Sequence, residues 1–391
     1  MRSDLGLGIL LGSGARRCLV VAPAVSSQPR IAQIDGLRGL AFLGVAWVHW
    51  APPSWRGPFP WEIGVFLFFV LSGFLVTRNL LAARDRAPSP AGRLAAARAF
   101  LGRRQLRLLA PYYAALVAAC LLGAGDIRQC PLWYVFHLVN IHIALDGTWP
   151  GGIAHFWTLS VQQQFYLAWP WLILFLPRRA LGPVLVAATA MAPLWRMAGP
   201  FAARWFADPS MLPVGALDYL GCGSLLGLAM HCGREVTSRR MAVAAWLCFA
   251  AYGVLYACWR GGHGIPYLAS LQQTFLAVAF TVLAAFAHRG IRGPVGHFLS
   301  HRFLLRVGTY SYGLYLFHNL APLLAGKIAP FLWHPALHDP LATILRLPVW
   351  AALAWAMAGA CHRWIETPLA QRSRPTPETN EPVGRGGPAA P

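Results

Sequence analysis

An arginine and a histidine eleven residues apart, Arg38 and His49, lie in the apolar run IDGLRGLAFLGVAWVHW at 34–50. Imidazole titrates near neutral pH and can take the proton of a hydroxyl during group transfer. On a helix rising 1.5 Å per residue the two side chains leave the axis roughly 16 Å apart. That places an imidazole deep in an apolar layer with Arg38 and Asp35 below it. Ionisable groups in such surroundings are costly and default to functional candidates. A plainer reading makes Asp35 and Arg38 an interfacial ion pair and His49 a cap on a helix end.

Four other stretches carry chemistry. FLGRRQLRLLAPYY (100–113) holds Arg103, Arg104 and Arg107. Arg104 and Arg107 fall at i, i+3 on one helix face, where paired guanidinium forks can grip phosphate, although anchoring at a membrane edge accounts for many such clusters. VGTYSYGLYLFHNL (307–320) carries Tyr310, Ser311, Tyr312, Tyr315 and His318, residue types that often sit satisfied in a core. In CHRWIETPL (361–369) Glu366 reads as a local ion pair with Arg363, and in HFWTLSVQQQFYLAWP (155–170) three amides, Gln162, Gln163 and Gln164, enter an apolar segment. The spacing of His137, His142 and His155 departs from the i, i+4 of helical metal pairs. The eight cysteines form no CxxC pair, so no metal is assigned.

These groups need elements to position them, and composition says which. The 391 residues are 57% hydrophobic and 12% charged, about half the charge of soluble domains. Runs of about 18 or more apolar residues, enough to cross about 30 Å of hydrocarbon, recur along the chain. Candidate spans are 35–52, 61–80, 106–124, 158–177, 181–198, 212–231, 241–259, 266–287, 304–325 and 343–362. The fold class is therefore all-α: a polytopic integral membrane protein of about ten transmembrane helices, with both termini cytoplasmic. CPLWYVFHLVNIHIAL (130–145) is too short and polar to be counted, and reads as a re-entrant or interfacial helix on the outer side. With that topology, arginines at 78–107, 178–179, 234–240, 289–306 and 363–385 all face the cytoplasm, as the positive-inside rule asks. The same rule absorbs the net charge of +20 without invoking nucleic acid. Residues 1–33 form an N-terminal cytoplasmic extension, 34–369 the membrane domain, and 370–391 a disordered cytoplasmic tail rich in Pro and Gly.

Taken in order, seven stretches resemble the membrane acyltransferase-3 family, bacterial multi-span enzymes that acylate sugars, polysaccharides and some antibiotics. They are IDGLRGLAFLGVAWVH (34–49), GVFLFFVLSGFLVT (64–77), FLGRRQLRLLAPYY, FWTLSVQQQFYLAWP (156–170), a lone Asp218 before GCGSLLGL, VGTYSYGLYLFH and IETPL (365–369). The resemblance implies that Arg38 and His49 serve acyl transfer. It also implies that Arg104 and Arg107, with Arg103 beside them, engage acyl-CoA from the cytoplasm. Two positions depart from the family's pattern. Gln162 and Gln163 stand where glutamates are usual, and Phe66 follows Gly64-Val65 where an aspartate often does.

The expected function is transfer of an acyl group, most simply acetyl, from acyl-CoA to a hydroxyl of a glycan or glycosylated small molecule in a bacterial inner membrane. Acyl-CoA is a co-substrate and no bound cofactor is expected. The expected catalytic residues are His49, as the base, Arg38 and Glu366. Gln162, Gln163, Tyr312, His318 and Asp35 are expected to line the acceptor channel. A transporter or flippase of a lipid-linked sugar is the alternative, though no inverted repeat is visible. So is a family member whose catalysis has lapsed with its glutamates.

Overall fold

The structure, a computed structural model, describes residues 31–264, 266–330 and 340–372. The expected N-terminal extension and tail therefore lie almost entirely outside the described residues. Among the described residues there are helices and no strands. Six helices build the first half: α1 (Ala32–Trp50), α2 (Gly64–Arg86), α3 (Pro90–Leu122), α4 (Pro131–Val135), α5 (Val139–Asp146) and α6 (Phe156–Phe175). The second half continues with α7 (Arg178–Met197), α8 (Gly199–Ala202), α9 (Leu217–His231), α10 (Arg239–Arg260) and α11 (Pro266–Arg289). It ends with α12 (Gly293–Leu299), α13 (Arg302–Phe317), α14 (Leu320–Ile328), α15 (Pro340–Cys361) and, after one π-helical turn at His362–Glu366, α16 (Thr367–Arg372).

Among the described residues seven helices are long and apolar enough to cross a membrane: those at 61–86, 90–122, 178–197, 213–231, 239–260, 267–289 and 343–369. The chain is thus a multi-pass membrane protein. Helices α1 and α6, of 19 and 20 residues, have the length to span but fall short in hydropathy, because each carries the polar groups on which the site is built. The expected span 304–325 is a correction, since it breaks at Phe317–Asn319 into α13 and α14, of 16 and 9 residues. The last carbonyls of a helix need partners, and at this break the Trp50 indole N–H donates to the His318 carbonyl at 3.1 Å. The stretch 130–145 forms α4 and α5, of 5 and 8 residues, each far too short to cross about 30 Å.

Small residues bring the site-bearing helices together, as expected where helices associate inside lipid. α1 and α13 run parallel in close contact. A Cβ on Gly39 would fall 2.4 Å from the Leu304 carbonyl oxygen, and one on Gly308 would fall 1.9 Å from that of Asp35. The register this sets carries both helices to the same end, where His49 meets His318. α2 packs most extensively on α9. Asp218 on α9, lone in the sequence, is fully buried against Arg196 of α7 at 2.6 Å and Thr274 of α11 at 2.9 Å. This ion pair ties three helices together away from the site.

Candidate active site

A cavity of about 350 Å³ opens between α1, α2, α3, α6, α13 and the π-helical turn. Four guanidinium groups line it, those of Arg38, Arg78, Arg104 and Arg107, against two carboxylates, Asp35 and Glu366. Its charge is therefore net positive. The Arg104 guanidinium carbon lies over the Tyr166 ring, 4.0 Å from its centroid, a cation–π contact that helps to hold the guanidinium in the cavity wall. The buried Arg104 Nε and the Ser311 hydroxyl, both on this wall, have no hydrogen-bond partner among the described residues. Buried polar atoms are seldom left without one, so both mark places where a polar ligand fits.

Tyr315 and Thr158 close the cavity at one end, their hydroxyls 2.7 Å apart. Beyond them lie three imidazoles. His318, at the end of α13, has its ring centroid 4.9 Å from that of His49 and 4.6 Å from that of His155, which caps α6. Tyr315 touches both buried rings, at 5.5 Å each. His155 and His318 are buried, whereas His49 keeps an accessible surface.

The hydrogen-bond network assigns the tautomers, since a carbonyl can only accept. His49 Nδ1 is 2.8 Å from the Val45 carbonyl and so carries the proton, leaving a lone pair on Nε2. His318 Nδ1 likewise donates to the Tyr315 carbonyl at 2.8 Å, and its Nε2 faces His49 Nδ1 at 3.4 Å. His155 donates from Nε2 to the Leu316 carbonyl at 3.3 Å and accepts at Nδ1 from the Asn319 amide at 3.1 Å. The result is one accessible imidazole with its basic nitrogen free of these bonds, held by two neutral imidazoles that are themselves locked.

The expected residues divide between these two places. Asp35, Arg38, Arg104, Arg107, Gln162, Tyr312 and Glu366 share the cavity, while His49 and His318 form the imidazole cluster. Glu366 sits with the guanidiniums in the cavity. Its ion-pair partner corrects the expectation of Arg363: His362 Nδ1 is 3.1 Å from the carboxylate. Arg103 is exposed and does not line the cavity. The three glutamines have separate tasks. Gln162 faces the cavity, Gln163 donates to Gln105 of α3 at 2.5 Å, and Gln164 donates to the His137 carbonyl and Asn140 at 2.9 Å. Tyr312 is committed to the Leu108 carbonyl at 2.7 Å, bracing α13 on α3.

His155, Asn319, Arg78 and Thr158 escaped the sequence reading as site residues, whereas Tyr315, which pairs with Thr158, was among its candidates. His155 stands in a loop before α6 with no partner at helical spacing, and only folding brings it to His318. Phe66, at the departure from the family's Gly-Val-Asp, stacks on Tyr219 with centroids 4.5 Å apart, so an aromatic contact occupies that position.

Fold and site together define an all-helical membrane protein with a cationic cavity leading to a histidine cluster. The acyltransferase-3 family model, described as an acyltransferase domain, matches residues 31–359, and the chain belongs to that family. It is 26% identical over 88% of its length to the peptidoglycan O-acetyltransferase OatA of Listeria monocytogenes, of which it covers 56%. It is 27% identical over 80% of its length to a putative peptidoglycan O-acetyltransferase, YrhL, of Bacillus subtilis, of which it covers 52%. The chain thus spans about half the length of these two relatives. Nodulation protein 10 of Rhizobium leguminosarum is 25% identical over 83% of the chain and is itself covered to 90%. No solved structure matches.

Proposed function

We propose that the protein is an O-acyltransferase that takes an acyl group, acetyl in the simplest case, from acyl-CoA and places it on a hydroxyl of a glycan or glycosylated small molecule. The observation that carries this reading is the continuity of the two sites. A cavity with four guanidiniums ends at Tyr315, and Tyr315 touches two of the three clustered imidazoles. The donor's nucleotide phosphates rest against Arg104 and Arg107, with Arg38 further in. Its thioester arm points toward the Thr158–Tyr315 pair. Bidentate guanidinium contacts suit phosphates better than any neutral lining would.

In the transfer step His49 Nε2 accepts the proton of the acceptor hydroxyl as its oxygen attacks the thioester carbonyl. The C–O bond forms, the C–S bond breaks, and the thiolate leaves with the proton from the imidazolium. His318 and His155 hold the His49 ring through the transfer. Being neutral donors and acceptors, the amide of Gln162 and the hydroxyl of Ser311 suit polar groups of the substrates without adding charge. Peptidoglycan acetylation by the named relatives supports a carbohydrate acceptor.

The test uses membranes containing the full chain, labelled acetyl-CoA and a panel of glycan acceptors. Wild type moves label to an acceptor, and His49→Ala membranes of equal protein content do not. Equal transfer by both would remove His49 from the chemistry. If no acceptor takes label while a lipid-linked sugar crosses proteoliposomes holding the protein, the chain is a transporter.

A further inference from the structure

We propose that Asp126, Cys130 and His142 form a binding site for a divalent transition-metal ion, zinc foremost, in the segment that links α3 to α6. The three ligand atoms converge although they come from three different places: a loop, the residue before α4, and the middle of α5. Cys130 Sγ is 2.9 Å from Asp126 Oδ2, His142 Nε2 is 3.1 Å from the same oxygen, and Cys130 Sγ to His142 Nε2 is 3.7 Å. Tetrahedral zinc with bonds of about 2.0–2.3 Å would hold such atoms roughly 3.4–3.6 Å apart, so closing on an ion asks for side-chain shifts of roughly half an ångström. Three protein ligands leave a fourth position for water.

The surroundings are those of a supported ligand set. Asp146 Oδ2 lies 3.0 Å from His142 Nδ1, near enough to hold a proton on that nitrogen once Nε2, which now faces Asp126 at 3.1 Å, gives up its own to bind an ion. Metal-bound histidines commonly have a carboxylate on their second nitrogen in this way. The Trp133 ring stacks on the His142 ring at 5.2 Å and 9°, which fixes its plane. Tyr134 donates to the other Asp126 oxygen, turning Oδ2 toward Cys130 and His142. His142 is buried, while Asp126 and Cys130 are partly accessible, so an ion has a way in. A thiolate, an imidazole and a carboxylate suit zinc and its first-row neighbours better than magnesium or calcium.

The ion would be structural and distant from transfer chemistry. It would close the chain between residues 126 and 142 and so fix α5. Asn140 of α5 holds Gln164 of α6, so the clamp reaches the helix that carries Gln162 and ends near His155. Sequence spacing hides the site, because the donors sit 4 and 12 residues apart and belong to no common helix.

The experiment uses the full chain in detergent, purified through a tag without histidines, stripped with a chelator and titrated with Co²⁺ as an optical probe of zinc sites. The expected result is one Co²⁺ per chain with a thiolate charge-transfer band and tetrahedral visible bands, displaced by Zn²⁺. Cys130→Ser loses the charge-transfer band, and Asp146→Asn weakens Co²⁺ affinity by about ten- to a hundredfold. Wild-type protein that takes up Co²⁺ without a thiolate band, or takes up none, overturns the proposal. Because that measurement is made on the wild-type chain, a variant that fails to fold cannot obscure the outcome.

Discussion

At the scale of single residues the site depends on where protons and charges are held. His49 presents Nε2 because the Val45 carbonyl claims Nδ1, so removing the ring removes the base. We expect His49→Ala to lower transfer by about a hundredfold to ten-thousandfold, the span of general-base contributions, while donor affinity, measured by equilibrium binding of acetyl-CoA to the same membranes, stays within twofold. Gln162 makes a second test. It faces a cavity with four guanidiniums, and in Gln162→Glu a carboxylate would compete with the donor's phosphates for them. The expected outcome is a KM for acetyl-CoA raised about threefold to tenfold with kcat little changed. A rise in kcat instead would mean that the carboxylate usual in the family does catalytic work that the amide here forgoes. Arg38, Arg104 and His49 were legible in the chain because charged and titratable types stand out against apolar runs. His155 and Asn319 were not, since what makes them part of the cluster is a contact across about 160 residues of sequence.

At the scale of elements, glycine decides the geometry. The α1–α13 pair brings His49 to His318 only if the backbones approach to the distance that Gly39 and Gly308 permit. A methyl at Gly308 would meet the Asp35 carbonyl at 1.9 Å, so the helices must part. We expect Gly308→Ala to destabilise the protein by about 1–3 kcal/mol, seen as a lower unfolding temperature in detergent, and to cost activity beyond what the loss of folded protein explains. Gly102→Ala, at a position where a Cβ meets nothing within 4 Å, serves as the control and should leave the unfolding temperature unchanged or slightly raised. The apolar runs announced most of these helices, because a span of lipid demands about 20 residues of one character. They did not announce the break at Phe317–Asn319. Pro322 has no N–H to offer the His318 carbonyl four residues back, so the helix ladder opens there and the Trp50 indole takes that carbonyl instead.

At the scale of the whole molecule the arrangement is polar from end to end. Arg78, Arg104 and Arg107 gather toward one end of the bundle, and the imidazole cluster and the α3–α6 link lie at the other. Arginine-rich loops are retained on the cytoplasmic side, so the proposed donor cavity should open to the cytoplasm and His49 should stand nearer the opposite face. Charge counting over loops proposes this orientation, but it could not reveal the cavity, which exists only where six elements converge. The consequence is a sidedness that can be measured in sealed vesicles. Inside-out membranes should transfer label from external acetyl-CoA, which does not cross a bilayer, whereas right-side-out membranes should do so only after permeabilisation. Arg104→Ala combined with Arg107→Ala should raise the acetyl-CoA concentration needed in inside-out vesicles by about tenfold or more, since each charge-assisted contact contributes about 1.5–3 kcal/mol. Transfer by intact right-side-out vesicles at the wild-type rate would place the cavity on the outer face and reverse the proposed direction of acyl flow.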